Sequence, residues 1–310
     1  MSDPGSLAEL FPQPLDPDPS IALDARGIRL PKKVPGPVHG AQFVIEIAGP
    51  HSVPAQQARE LLGPKWHPTL GQPEVFCMAA ADQTWRLMST TDGAVAYDSI
   101  ALAWDLLSVR GELSTASATH LLQTACNFAQ SAKRRAFPFP DPGQIDRLVS
   151  GLEQARENLD VGVELIVQAP SALLERDVWV ACANLGLDLS TEGAFIWKVD
   201  GWEDALLAVA PIDEGSVFSL RGVKGNATDE ALIVGFNIPR SPDPESCLTA
   251  AFHAVKTLAQ KLDAQAFDEE GRALTSAVER ELSSNLTQVV RSLEGSGIKP
   301  GSGVARKIFS

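Results

Sequence analysis

Apolar and polar residues first alternate regularly at FVIEI, residues 43–47, where Phe43, Ile45 and Ile47 share one face. A period of two predicts a half-buried strand. A short helix follows, with Pro54 near its first turn and Ala58, Leu61 and Leu62 turned inward. Strands are expected at EVFCM from Glu74, TWRLM from Thr84 and SIALAWDLL from Ser99. Over 117–135 the spacing of Leu121, Leu122, Ala125, Phe128, Ala129 and Ala132 changes to the helical 3.6. FPFPDPG, from Phe137, breaks that helix. A second helix then carries Ile145, Leu148, Val149, Leu152, Ala155 and Leu159 inward.

The same order then begins again. VELIVQA alternates from Val163, with Val163, Leu165 and Val167 on one face, and a helix follows with Leu174, Val178, Ala181 and Leu185 inward. Strands are expected at GAFIWKV from Gly193, ALLAVA from Ala205 and ALIVGFNI from Ala231. Asp243 and Pro244 form an N-cap and first-turn pair for a helix packing Leu248, Ala251, Phe252, Val255, Leu258, Ala259 and Leu262. A last helix packs Leu274, Val278, Leu282, Leu286, Val289 and Leu293.

Letters match as well as order. IEIAGP ends at Pro50 and LIVQAP at Pro170, 120 residues apart, and Val75 of EVFCM falls opposite Phe195 at the same spacing. FAQSAKRRAF ends at Phe137 and LAQKLDAQAF at Phe267, 130 apart, so the second half holds a loop insertion near RGVKGNATDE. The expected architecture is α+β, one domain written twice, each an antiparallel sheet with helices on one face. The expected divisions are a Pro/Asp-rich arm or linker at 1–42, domains at 43–160 and 161–294, and a flexible tail at 295–310.

A chain of 310 residues suffices for two domains, and a formal net charge of −13 disfavours a general nucleic-acid binder or adhesion to anionic lipid. No apolar run reaches the roughly 18 residues that a membrane helix needs, and the first twenty residues lack a signal peptide's pattern. A cytoplasmic protein is expected. Cys77, Cys126, Cys182 and Cys247 are widely spaced, form no CxxC and sit in apolar stretches, as buried reduced thiols do.

Chemistry is sparse. His39, His51, His67, His120 and His253 belong to no metal-ligand spacing, and no GxSxG elbow or GxxxxGK[ST] phosphate loop is present. GSGIKPGSG in the tail follows no strand and opens no helix. Asp268, Glu269 and Glu270 fall where a helix is expected to begin, a position that suits negative charge. The sequons at Asn226 and Asn285 carry no meaning in a cytoplasmic chain. The expectation is a non-enzymatic protein without metal or cofactor.

What stands out is apolar bulk on the strand faces that helices leave open. If Ile196 points into the core, Phe195 and Trp197 lie on the open face, joined by Ile166 and Ile233. The matching first-half positions carry the smaller Val44, Val75 and Cys77, so the second domain is the better candidate. An open face of this kind binds a partner, or it packs against the other domain's sheet in an internal pseudo-dimer that recruits partners through loops or the GVARKIFS tail.

The second half, about 163–293, resembles the C-terminal FtsZ-binding domain of the ZipA cell-division protein family. VELIVQAP resembles that family's first strand, and LGLDLSTEGAFIWKV its turn and aromatic strand. FNIPRSPDPESCLTAAFHAVKTLAQKLDAQAFDEEGRALTSAVERELSSNL resembles its final strand, long helix, L-D-x-x-R-x-x-T segment and last helix. That segment reads Phe267-Asp268-Glu269-Glu270-Gly271-Arg272-Ala273-Leu274-Thr275 here. The resemblance implies a split β-α-β fold whose open face holds the FtsZ C-terminal tail in a shallow apolar groove. The implied groove positions are Ile166, Phe195, Trp197, Ala210, Ile233 and Gly235. Glu164 and Gln168 make the first strand more polar than the family's, and Gly235 stands where the family has an aromatic.

Overall fold

In the computed structural model, which describes residues 10–11, 14–63, 66–79, 83–88, 96–108, 113–213, 215–225 and 230–309, the chain forms two α+β units. The first-half unit comprises Lys32–Asn158 and Gly303–Ser310. Its elements are β1 (Gln42–Ala48), β2 (Val53–Pro54), α1 (Ala55–Arg59), β3 (Glu74–Ala79), β4 (Trp85–Leu87), β5 (Ala96–Asp105), α2 (Thr115–Ser131), β6 (Arg135–Phe139) and α3 (Ile145–Leu159). The strands pair antiparallel in the order β4-β3-β5-β1-β6, with β2 beside β5. Phe43, Ile45 and Ile47 are fully buried, as their alternation requires, and Val75, Cys77, Ile100 and Leu102 pair in line with them. Leu121, Ala125 and Ala129 form the buried stripe of α2, whose N-cap Ser114 accepts a bond from the Ser117 N–H.

The helix expected to reach Arg135 ends at Ser131, and the stretch read as a mere breaker is strand β6, lying along β1. Lys133 takes a positive φ of 57°, and the Arg134 N–H donates back to the Ala129 carbonyl, a left-handed cap that turns the chain out of the helix. Pro138 lacks an N–H, which an edge strand tolerates.

The second-half unit comprises Met1–Pro31 and Leu159–Ser302. Its elements are β7 (Gly162–Gln168), α4 (Glu175–Asn184), β8 (Asp188–Leu189), β9 (Phe195–Trp197), β10 (Leu207–Pro211), α5 (Leu220–Gly225), β11 (Ala231–Asn237), α6 (Pro244–Lys261), β12 (Gln265–Asp268) and α7 (Ser276–Gly295). The antiparallel order is β12-β7-β11-β10-β9-β8. Asp243 caps α6 through the Ser246 N–H, with Pro244 in the first turn. Leu165, Val167, Val209, Leu232 and Val234 pack with Ala251, Val255 and Leu258 of α6 into one core. In the expected insertion, α5 is pinned by the buried Glu175 carboxylate, which accepts from Ser219 N at 2.7 Å and Trp179 Nε1 at 3.2 Å. A methyl group on Gly222 would collide with that carboxylate. Residues 226–229, with the Asn226 sequon, lie outside the described residues.

β1 and β7 span corresponding residues 120 apart. The cap of α2 also recurs on α6 at a spacing of 130: Asp263 has φ 50°, and the Ala264 N–H donates to the Ala259 carbonyl. Strand order differs at the far edge. β3 pairs directly with β5 and leaves β4 outside, whereas β9, its counterpart in sequence, is separated from β11 by β10.

Two expectations about the chain ends are corrected. The arm is not a linker over its described length. Phe11 is buried and stacks on Trp179 with ring centroids 5.7 Å apart; the Leu23 N–H donates to the Leu185 carbonyl, and His253 Nε2 bonds the Ile21 carbonyl. Up to Pro31 the arm belongs with the second-half unit. The tail is also ordered: α7 runs to Gly295, and a C-terminal helix α8 (Gly303–Ile308) buries Ala305 and Ile308, followed by buried Phe309.

Candidate functional site

The sheet of the second-half unit turns one face to its helices and the other away from them. Pairing register fixes the second face residue by residue. Ala210 of β10 lies opposite Ile233 of β11, Ile233 opposite Ile166 of β7, and Ile166 opposite Phe267 of β12. These four half-buried side chains make one apolar row across four adjacent strands. A second row runs beside it through Ile196, Ala208, Gly235 and Glu164. Ile212, 38% exposed, continues the β10 face beyond Ala210, its N–H donating to the Ala231 carbonyl.

Of the six expected groove residues, the structure brings Ile166, Ala210, Ile233 and Gly235 onto this face. Phe195 and Trp197 lie on the opposite side, which corrects the expectation that they line the groove. They are 3% and 4% exposed and belong to the core. The Phe195 ring meets Trp179 edge-on with centroids 5.3 Å apart and Phe218 at 5.1 Å. Phe218 and the arm's Phe11 complete an aromatic stack that fills the space beneath the short strand β9. Their first-half counterparts Val75 and Cys77 are core residues too, while Val44 lies on the helix-free face.

Gly235 shapes the floor. A methyl group there would lie 2.7 Å from the Val163 carbonyl oxygen on the neighbouring strand, so a larger side chain is excluded at this backbone spacing. The result is a dip bounded by Ile233, Ala208 and the Glu164 stem. Glu164 is exposed and puts one negative charge at the rim; Gln168, four residues along, is tied down by Nε2 bonds of 3.3 Å to the carbonyls of Ala169 and Glu230.

Sequence reasoning missed Ile196, Ala208, Ile212 and Phe267. Ile196 was set in the core by the inverted parity of β9. Phe267 was hidden because β12 was read as a helix-to-helix connection. A face of small and branched apolar side chains with one rim carboxylate can bury an apolar stripe of another chain; it brings together no acid–base pair and no ligand set among the described residues.

The Asp268–Arg272 segment is structural. The Asp268 carboxylate, 1% exposed, accepts from Arg272 N at 2.8 Å and Arg272 Nε at 2.7 Å, closing a turn in which Gly271 has φ 76°. Arg272 also reaches Glu281 on α7 at 3.0 Å, so the motif fixes the end of β12 to the last helix. Among the described residues no helix is long and apolar enough to cross a membrane.

No curated protein matches the chain. The family model described as ZipA, C-terminal FtsZ-binding domain, matches residues 161–285, which run from the start of β7 into α7 and carry the whole of the helix-free face described above.

Proposed function

We propose that the second-half unit is a non-enzymatic cell-division adaptor domain that binds FtsZ, taking a peptide of its C-terminal tail on the helix-free sheet face. The observation that carries this reading is the coincidence of two findings. The stretch 161–285 matches a family whose domain binds FtsZ, and the face it folds into presents an apolar row rather than a polar surface. We assign binding to Ile166, Ala210, Ile233 and the Gly235 dip, extended by Phe267 and Ile196. The first-half unit, with its matching strand and helix cap, descends on this reading from the same ancestral domain.

The test is a titration of the full chain with an FtsZ C-terminal peptide. A shallow groove gives micromolar affinity, about −8 kcal/mol. Ile233→Glu, which buries a charge under the peptide, is expected to weaken binding at least tenfold with the circular dichroism spectrum unchanged. Absence of binding at about 1 mM, well beyond the affinity expected of such a groove, or identical affinity for the Ile233→Glu chain, would overturn the assignment.

A further inference from the structure

The first-half unit also has a sheet face turned away from its helices, and it carries a different device. Register places Gln42, Val44 and Glu46 of β1 on this face, with Ala101, Ala103 and Asp105 of β5 and Glu74 and Phe76 of β3. Val44, Ala101 and Ala103 are each 1% exposed and form a small apolar cluster with Phe76 and Trp85, apart from the side that holds Phe43 and Ile45. Residues that face away from the helices and are this deeply buried have a roof. Part of it is the segment before β1: Gly36 lies so close to Trp85 that a methyl group would stand 3.0 Å from its Cβ, and His39 meets the Phe139 ring edge-on.

At one end of the face two carboxylates are held together. Gln42 Nε2 donates to Glu74 Oε2 at 2.5 Å and to Asp105 Oδ1 at 2.8 Å. Into this acidic notch comes Lys307 of α8, its Nζ 2.9 Å from Glu74 and 3.0 Å from Asp105. The helix starts against the same roof segment, with Gly303 at Val38 and Val304 at Gly40. A six-residue helix has no stability of its own in water, so its form comes from docking. A cavity of about 260 Å³ lined by Leu70, Gln72, Trp104 and Ser108 adjoins both carboxylates.

We propose that the helix-free face of the first-half unit is a second docking site, selective for a short helical peptide with a basic side chain, and that the chain's own segment 303–309 occupies it until a partner of that chemistry displaces it. Two carboxylates against one ammonium leave the notch negative, which favours a basic ligand. The tether makes the resident a strong competitor, because an intramolecular ligand on a short linker acts at millimolar effective concentration. The inference concerns the other unit and stands whether or not the second-half unit binds FtsZ.

The test uses a fluorescent peptide of residues 300–310 and three full-length chains. Lys307→Glu evicts the resident, so that chain is expected to bind the peptide at least tenfold more tightly than the unaltered chain. Adding Glu74→Gln and Asp105→Asn to it is expected to reduce that binding at least tenfold. Equal affinity of the unaltered and Lys307→Glu chains, or no loss on neutralising the notch, would overturn the proposal. Hydrogen exchange on the unaltered chain is independent of any variant's folding. The amides of 305–309 are expected to exchange well before those of β5; exchange in step with β5 would make the segment a fixed part of the fold and end the proposal.

Discussion

Burial of the Asp268 carboxylate would by itself raise its pKa, but the Arg272 amide and guanidinium more than offset it, holding the carboxyl below its ordinary value. The sign of the consequence follows from linkage. A group whose folded pKa lies below its unfolded one contributes stability that is fully present above the unfolded value and is lost as pH falls through the folded value. Asp268→Asn keeps the shape and removes the charge. It is expected to cost about 1.5–3 kcal/mol at neutral pH, the range for a hydrogen bond to a charged group. The gap from the unaltered chain is expected to shrink below about pH 4, as the unfolded chain's carboxyl takes up its proton, and to close once pH falls through the lower pKa of the native carboxyl. Urea denaturation at about pH 7 and about pH 3 measures both quantities; a pH-independent gap would mean that the turn, not the charge, holds the segment. Sequence placed these acids at a helix N-terminus, whereas Asp268 ends a strand and bonds the backbone four residues on. The spacing of Asp268 and Arg272 is visible in the letters, but the turn that brings them together depends on β12 pairing with β7.

The elements that sequence revealed are those whose pattern runs long enough to fix both period and phase. β1 and β7 alternate over several residues, and the stripes of α2 and α6 repeat over several turns. β9 has three residues in the ladder, and three residues cannot say which parity faces inward. The deciding information lies elsewhere in the chain: Trp179 on α4, Phe218 before α5 and Phe11 in the arm make a pocket that takes Phe195 and leaves Ile196 outside. β6 and β12 were missed for a related reason. Each is a short edge strand directly after a left-handed helix cap, and its pairing with β1 or β7 is non-local. Trp197→Ala therefore separates a core role from a groove role. It is expected to destabilise the second-half unit by about 3–5 kcal/mol, as large aromatic truncations in cores do. In the fraction that remains folded, peptide affinity is expected to change less than threefold. A tenfold loss of affinity without loss of stability would return Trp197 to the binding face.

Across the whole molecule, the two ends of the chain are exchanged between the units. The N-terminal segment up to Pro31 belongs with the second half, and the segment from Gly303 belongs with the first. Neither half as a contiguous stretch is therefore complete. Residues 161–285 carry the family match and the apolar face but omit Phe11, the partner of Trp179, and Leu293, which is fully buried at the end of α7. Composition hid this, because a Pro-rich arm reads as linker whether or not a few apolar residues within it find pockets. Phe11 is the residue on which the arm's docking can be tested. It is 6% exposed, stacks on Trp179 and lies beneath the Arg176 guanidinium, 5.8 Å from its ring centre. Phe11→Ala is expected to cost the second-half unit on the order of 3 kcal/mol, the lower range for an aromatic truncation because the site lies at the edge of the core. Hydrogen exchange resolved by peptide is the suitable readout. Protection is expected to fall in α4 and β9, whose Trp179 and Phe195 lose their neighbour, while β1 and β5 keep theirs. A uniform loss across both units would show that they unfold as one, and no loss would show that the arm lies on the second-half unit without supporting it.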